Sequence, residues 1–184
     1  MCSLFIYTPI PYQEASYLTQ DKNKFKQSAR MARAKACGRR TQVRESGIHG
    51  KGIYAIRPIK AGDRVLEYKG KIITWRRAQA LHPHDPSQPN HTFYFHLDDG
   101  HVIDAKQDGN TAKWINHSCE PNLEAEQDGM RVFLKALRDI KVGEELFYDY
   151  GLIIDGRITQ KLKKEHACLC NAPNCRGTML AYKG

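Results

Sequence analysis

Short runs rich in apolar residues, rather than long amphipathic stretches, dominate the chain after its first 40 residues. Seven of these runs are rich in β-branched and aromatic residues and are bounded by turn residues, which is typical of strands. They cover residues 41–45, 52–56, 65–73, 92–97, 101–103, 130–136 and 144–147. Turns such as Asp-Asp-Gly at 98–100 and Asp-Gly at 128–129 separate them. The pattern predicts a domain built mainly from strands.

Helical signals are few and short. Thr74 can cap a helix over residues 75–81 that Pro83 ends, and residues 158–166 can form a second short helix. Residues 82–89 contain three prolines, which is typical of an exposed loop. Strands do not alternate with helices along the chain, and this argues against a doubly wound nucleotide-binding fold. We therefore expect a mainly β fold class with short helices.

The 184 residues fit one domain, and their net charge of +9 is concentrated near the N-terminus. Residues 1–40 hold eight Lys or Arg against two acids, so they carry +6 of that total. We expect a basic, flexible N-terminal extension, in which residues 22–40 could make a weak nucleic-acid contact. A solvated extension without function explains the same composition, and so does a protein that starts at Met31.

The apolar runs are much shorter than the roughly 18–20 residues of a membrane-spanning helix, so we expect no membrane partner. Residues 1–13 also lack the basic and apolar regions of a secretory signal. In such a chain, six cysteines favour reduced thiols or metal ligands over disulfides. We expect an intracellular, reducing compartment; the nucleus, the cytoplasm and a host cell that receives the secreted chain all stay open.

A cysteine motif near the C-terminus predicts a metal site. Cys168, Cys170 and Cys175 form C-x-C-x4-C, and three thiolates need a fourth ligand to complete a tetrahedral zinc shell. Cys119 is the best candidate because it lies in a polar, turn-like stretch rather than in an apolar run. The alternative is four ordinary reduced thiols.

Three other motifs are ambiguous when each is taken alone. His117 and Cys119 lie two residues apart, which suits a thiol hydrolase unless the cysteine binds metal. Gly50 and Gly52 can mark an ordinary hairpin turn. The Tyr-Asp-Tyr sequence at 148–150 can be the end of an amphipathic strand.

Together, and in this order, the motifs resemble those of the SET-domain protein lysine methyltransferases over residues 41–180. The glycine motif of that family matches residues 50–52, and its Asn-His-Ser-Cys-x-Pro-Asn motif matches residues 116–122. Its Glu-Leu-x-(Phe/Tyr)-Asp-Tyr motif matches residues 145–150, and its post-SET cysteines match the C-x-C-x4-C motif. Two features depart from the family pattern: Lys113 stands where arginine is common, and residues 1–40 hold no cysteine-rich pre-SET region.

The resemblance implies a fold and a division of the chain. The expected fold is a SET domain of several small β-sheets with a knot-like C-terminal threading. The expected segments are a SET domain over residues 41–151, a linker or short helix over 152–166, and a post-SET zinc-binding segment over 167–184 that holds one structural zinc.

The resemblance also implies an activity, the transfer of a methyl group from S-adenosylmethionine to a lysine amine of a protein, with histones among the candidate substrates. The implied catalytic residues, which would line a lysine channel, are Tyr68, Tyr148 and Tyr150. The implied cofactor contacts are Lys51, Gly52, Asn116, His117, Tyr150 and Leu169.

Individual roles within the channel are implied as well. The hydroxyl of Tyr150 is expected to be catalytic, and that of Tyr148 to favour monomethylation. Asp149 is expected to point away from the channel, because neighbouring side chains on an extended backbone face opposite sides. The alternative function is a catalytically inactive, zinc-stabilised basic module that binds nucleic acid or a protein partner.

Overall fold

The computed structural model of the chain describes residues 38–81, 93–153 and 157–181. The chain divides into two units, Met1–Gly38 and Arg39–Gly184, and all but one of the described residues belong to the second. The predicted basic extension, with its candidate nucleic-acid contact, therefore lies outside the described residues apart from its last three positions. So does the predicted proline-rich loop at 82–89.

Three small sheets form the described domain. A hairpin joins β1 (Thr41–Glu45) to β2 (Lys51–Ala55), with Thr41 opposite Ala55. A three-stranded antiparallel sheet has the order β4-β6-β5, formed by β4 (Lys71–Thr74), β5 (Tyr94–His96) and β6 (His101–Asp104).

The largest sheet has five strands in the order β3-β9-β8-β10-β7. Its members are β3 (Arg64–Tyr68), β7 (Asn116–His117), β8 (Leu123–Asp128), β9 (Arg131–Ala136) and β10 (Phe147–Tyr148). The first three strands in that order are antiparallel, whereas β10 runs parallel to both β7 and β8. A late segment of the chain therefore enters the middle of the sheet. The knot-like threading of the C-terminal segment stays a prediction.

Three short helices complete the described elements: α1 (Trp75–Leu81), a 3₁₀ helix (Thr111–Trp114) and α2 (Gln160–Glu165). The hydroxyl of Thr74 accepts a hydrogen bond from the Arg77 N–H at 3.3 Å, so the predicted cap of α1 is confirmed. The Thr159 hydroxyl caps α2 in the same way. No helix in the described part of the chain is long and apolar enough to cross a lipid bilayer.

The core lies between the sheets and contains fully buried aliphatic side chains from several strands and loops. Its largest members, each at most 1% exposed, are Ile53, Ile59, Ile115, Leu123, Leu134, Ile140 and Leu146. Burial of each such side chain contributes about 1.5–3 kcal/mol to folding. Buried and less buried positions alternate along β9.

The strand prediction missed the two-residue strand β7 and was wrong in three other places. Residues 65–73 are two strands, separated at Lys69 and Gly70. At Gly70 a Cβ would overlap the backbone of Asp104, which explains the glycine there. Residues 144–147 hold only the start of β10. Strand β8 was missed because its sequence, Leu-Glu-Ala-Glu-Gln-Asp, contains no β-branched or aromatic residue.

Candidate active site

One cavity in the described domain collects most of the residues singled out from the sequence. Its volume is about 710 Å³. Its walls come from residues 49–51, Tyr68 at the end of β3, residues 93–96, Lys113, Trp114, Asn116, Tyr148, residues 150–153 and Met179 of the C-terminal tail. The lining therefore combines segments that lie more than 120 residues apart in the sequence.

Tyr68, Tyr148 and Tyr150 all line this cavity. The ring centroids of Tyr148 and Tyr150 lie 4.8 Å apart. The Phe95 ring bridges Tyr68 and Tyr148, with its centroid 5.5 Å from that of Tyr68 and 6.3 Å from that of Tyr148. The result is a continuous aromatic wall, which suits the alkyl stem of a lysine and a neighbouring positive charge.

Asn122 holds β10, which contains Tyr148 and leads directly to Tyr150, in the sheet. Its buried amide donates to the Glu145 carbonyl at 2.8 Å and accepts from the Phe147 N–H at 2.8 Å. A two-residue strand has few ladder hydrogen bonds of its own, so these side-chain bonds complete its backbone pairing. Asn122 is the last residue of the Asn-His-Ser-Cys-x-Pro-Asn motif, and its positioning role was missed in the sequence.

The three phenol hydroxyls differ in their hydrogen bonds. Tyr150 donates to the Ile115 carbonyl at 2.9 Å, and Tyr68 donates to the Phe93 carbonyl at 3.2 Å. The Tyr148 hydroxyl makes no hydrogen bond to any described residue, so it is available to a molecule in the cavity. Burial raises the pKa of all three hydroxyls, so they are neutral phenols at physiological pH and do not act as bases.

Asn116 fixes the opposite lip of the cavity. Its amide Nδ2 donates to the Lys51 carbonyl at 3.0 Å and to Glu145 Oε1 at 3.0 Å. The Glu145 carboxylate also accepts from the hydroxyls of Tyr54, at 2.7 Å, and Ser46, at 3.1 Å. These bonds connect the loop before β2 to the motif that carries the tyrosines.

Gly52 does not line the cavity. A glycine is required at this position for a reason other than the expected contact with a cofactor. A Cβ at this position would overlap the Glu145 carboxylate. The missing side chain therefore makes room for the hydrogen-bonded carboxylate rather than for a ligand.

Two lysines surround Trp114 at the same end of the cavity. The Nζ of Lys51 lies 4.9 Å from a Trp114 ring centroid, and the Nζ of Lys113 lies 5.3 Å from it. The described lining contains no Asp or Glu. This end is suited to an anionic group such as a carboxylate. Lys113 was noted in the sequence only as a departure from a family pattern.

His117 lies behind the cavity wall rather than in it, and its expected contact with a cofactor stays a prediction. The residue is 5% exposed. Its Nδ1 accepts from the Tyr150 N–H at 3.1 Å, so Nε2 carries the proton and donates to Cys119 Sγ at 3.4 Å. Burial lowers the pKa of His117 to about 4, and the ring is therefore neutral at physiological pH. It supports the backbone of Tyr150.

Leu169 is exposed, and its expected contact with a cofactor stays a prediction. Its side chain is 58% exposed and lies outside the cavity lining. Met179 is the tail residue that reaches the cavity. The tail is attached there by backbone hydrogen bonds, including the Ala181 N–H to the Leu152 carbonyl at 2.9 Å.

The four predicted metal ligands converge. Cys119, Cys168, Cys170 and Cys175 place their Sγ atoms within 4.8 Å of one another. The Cys119 Sγ lies 3.8 Å from that of Cys168 and 3.9 Å from that of Cys175. Four sulfurs around zinc at about 2.3 Å are separated by about 3.8 Å, so the cluster fits a tetrahedral zinc ion.

Backbone donors surround the cluster and favour thiolates. Cys119 Sγ accepts from the Arg176 N–H at 3.4 Å, and Cys170 Sγ accepts from the Cys119 N–H at 3.5 Å. Burial raises the pKa of the Cys119 and Cys168 thiols. Burial also opposes ionisation of Cys170, but hydrogen bonds from the backbone N–H groups of Cys119 and Ala172 and from neighbouring thiols lower its pKa to about 6. Such contacts orient and stabilise thiolate ligands around a metal.

Asp149 faces away from the cavity, as predicted. It is not part of the lining, and its carboxylate pairs with the guanidinium of Arg176 on the tail.

Comparison with known proteins supports these observations. The family model described as SET domain matches residues 50–151. The chain is 36% identical over 140 residues to "Histone-lysine N-methyltransferase, H3 lysine-4 specific" of Candida albicans, which is 72% of this chain and 13% of that protein. It is 38% identical over 137 residues to the protein of the same name from Eremothecium gossypii, covering 72% of this chain and 14% of that protein.

A third relative is "Histone-lysine N-methyltransferase set1" of Dictyostelium discoideum. The identity is 33% over 154 residues, which is 81% of this chain and 10% of that protein. The matched part of the chain therefore spans about a tenth to a seventh of the length of these relatives.

Proposed function

Because the chain belongs to the SET domain family, we propose that it is an S-adenosylmethionine-dependent protein-lysine N-methyltransferase. The observation that carries the proposal is one cavity that is lined by three tyrosines from two distant segments and by two lysines. One end suits a carboxylate-bearing cofactor, and the aromatic wall suits a lysine side chain.

Lys51, Lys113, Asn116 and Tyr150 would hold the cofactor. The two lysines around Trp114 complement the carboxylate of an amino acid. Asn116 holds the Lys51 backbone and so sets the position of that lip. S-adenosylmethionine supplies an electrophilic methyl group on a positively charged sulfur. The aromatic rings and phenol oxygens of the cavity suit that charge.

The aromatic wall would take the substrate lysine as its neutral amine. A free lysine has a pKa near 10.4, so its neutral form costs about 4–5 kcal/mol at pH 7. The apolar surroundings and a neighbouring positive charge both lower that pKa and reduce this cost. Tyr150 commits its proton to the Ile115 carbonyl, so the lone pairs of its oxygen can accept a hydrogen bond from the amine.

Tyr148 would limit the product mainly to monomethyl-lysine. Its hydroxyl makes no hydrogen bond to a described residue and can hold a water molecule or the amine itself. Either arrangement occupies the space that a second methyl group needs. The support for this role is the difference between the Tyr148 hydroxyl and the two committed hydroxyls of Tyr68 and Tyr150.

One zinc ion would cross-link the tail to the domain through the four cysteines. The cluster joins Cys119, beside the cavity wall, to three cysteines more than 45 residues later in the chain. Its role would be structural, because four protein ligands leave no open position on the metal.

Histone H3 is the first substrate to test, because two of the relatives carry the name of H3 lysine-4 methyltransferases. A histone substrate would place the protein in the nucleus, where reduced cysteines persist.

The test is methyl transfer measured by mass spectrometry. The full chain is incubated with deuterium-labelled S-adenosylmethionine and an N-terminal H3 peptide, beside a matched peptide in which lysine-4 is replaced by arginine. We expect label on the first peptide only. Label on neither peptide, nor on any protein of a nuclear lysate, would refute the proposal. Equal label on both peptides would retain the activity and refute the H3 lysine-4 assignment.

A further inference from the structure

Arg176 connects the cysteine cluster with the segment that carries two of the cavity tyrosines. It directly follows Cys175 in the chain. Its Nη1 and Nη2 donate to the two carboxylate oxygens of Asp149, at 2.5 and 2.9 Å. The two side chains are 24% and 35% exposed. Bidentate bonds of this kind fix orientation as well as distance.

Asp149 in turn holds the backbone around Tyr150. Its Oδ1 accepts a hydrogen bond from the Gly151 N–H at 3.0 Å, while the Tyr150 N–H donates to His117 Nδ1 at 3.1 Å. Gly151 has a φ of 55°, so the chain turns sharply just after Tyr150. The position of the tyrosine ring therefore depends on where this carboxylate is held.

The other end of Arg176 is anchored to the cluster. Its backbone N–H donates to Cys119 Sγ at 3.4 Å. Its Nε is buried and has no hydrogen-bond partner among the described residues. An unpaired buried donor is unfavourable, so this conformation must be maintained by the contacts at both ends of the residue.

We propose that Arg176 is a positioning residue, which transmits the position of the cysteine cluster through Asp149 to Tyr148 and Tyr150. Its effect on catalysis rests on the proposed function, whereas its effect on the Tyr148–Gly151 backbone does not. A pure stabiliser of the tail would loosen the tail alone. A positioning residue would loosen the tyrosine segment while the cluster keeps its metal.

The first experiment does not depend on activity. Zinc content and amide hydrogen exchange are measured on the full, zinc-loaded chain and on Arg176→Lys, Asp149→Asn and the double variant. Lysine keeps the charge and loses the bidentate geometry. Arg131→Lys is the matched control, because Arg131 makes a bidentate pair with Glu67 on the sheet, at 2.7 and 3.0 Å, outside the cavity lining.

We expect the amide exchange rate at residues 148–151 to rise about tenfold in either single variant. This is the effect expected from the loss of one charge-assisted hydrogen bond. The double variant should exchange no faster than the single variants, because each single variant already breaks the same Arg176–Asp149 contact. All variants should keep one zinc per chain, and the control should match the wild type. An exchange rate at residues 148–151 equal to that of the wild type, in both single variants, would overturn the proposal. So would loss of zinc from Arg176→Lys, because the residue would then serve the metal site.

Steady-state methyl transfer is the second readout. We expect kcat to fall at least about tenfold with the peptide KM within about threefold, as for a change felt mainly in the transition state. An unchanged kcat despite faster exchange would overturn the catalytic part of the proposal. If Arg176→Lys does not fold, the same measurements on Asp149→Asn decide whether the proposal holds. If the wild type transfers no methyl group, the proposed function fails and the exchange data still decide the positioning role.

Discussion

Gly52→Ala should destabilise the domain by displacing Glu145. A Cβ at position 52 would overlap the Glu145 carboxylate. That carboxylate cannot move freely, because it accepts hydrogen bonds from Ser46, Tyr54 and Asn116. The substitution must therefore break or lengthen several bonds at once.

The expected magnitude follows from the number of bonds. Each hydrogen bond to a charged group contributes about 1.5–3 kcal/mol, so the loss of two gives about 3–6 kcal/mol. Removing a glycine from a strand offsets about 0.5–1 kcal/mol of this. Partial exposure reduces the remainder further, and we expect a net loss of about 2–4 kcal/mol. In a domain of this size, that lowers Tm by roughly 5–15 °C.

The assay is urea and thermal unfolding followed by circular dichroism. Gly47→Ala, in the turn that leads into β2, is the matched control, because nothing lies within 4 Å of a Cβ there. Its effect should be within about 0.5 kcal/mol. In the double variant Gly52→Ala/Glu145→Ala the overlap is gone, so its stability should equal that of Glu145→Ala. A Gly52→Ala protein as stable as Gly47→Ala, or additive losses in the double variant, would refute this explanation of the glycine.

Three further predictions concern the cavity and the cluster. Tyr148→Phe should increase the di- and trimethyl-lysine fraction of the product in mass spectra, and an unchanged distribution would contradict its assigned role. Removing zinc with a chelator should weaken S-adenosylmethionine binding in isothermal titration before the core unfolds, because Met179 leaves the cavity with the tail; retained affinity would contradict this. The rate should rise between about pH 7 and 9, because the substrate amine loses its proton while burial holds the pKa of the cavity phenols above their usual range; a flat profile would exclude amine deprotonation as the limiting step.

The local part of the fold could be predicted from the sequence, and the pairing of distant segments could not. Strand β9 was predicted because Val132 and Phe133 favour strands and a turn at Asp128-Gly129 precedes them. Strand β8 forms without such residues because it pairs with β9 along six residues. Ion pairs to Glu124 and Glu126 add to this pairing. Neither contribution can be seen within the β8 segment itself.

The same limit applied to the site. Tyr68 and Tyr150 lie 82 positions apart, and only the resemblance to a family placed them in one channel before the fold was known. Gly52 was correctly singled out, but its physical reason, the Glu145 carboxylate, lies 93 residues away.

Tyr150→Phe gives the clearest test of whether the aromatic cavity performs methyl transfer. Kinetics of the full chain are measured with saturating S-adenosylmethionine and H3 peptide, and cofactor affinity is measured separately by titration. Removal of one catalytic hydroxyl should lower kcat by about 100-fold or more. The cofactor Kd should stay within about threefold, because the ring and its backbone contacts remain. An unchanged kcat in a folded variant would mean that methyl transfer does not depend on this hydroxyl.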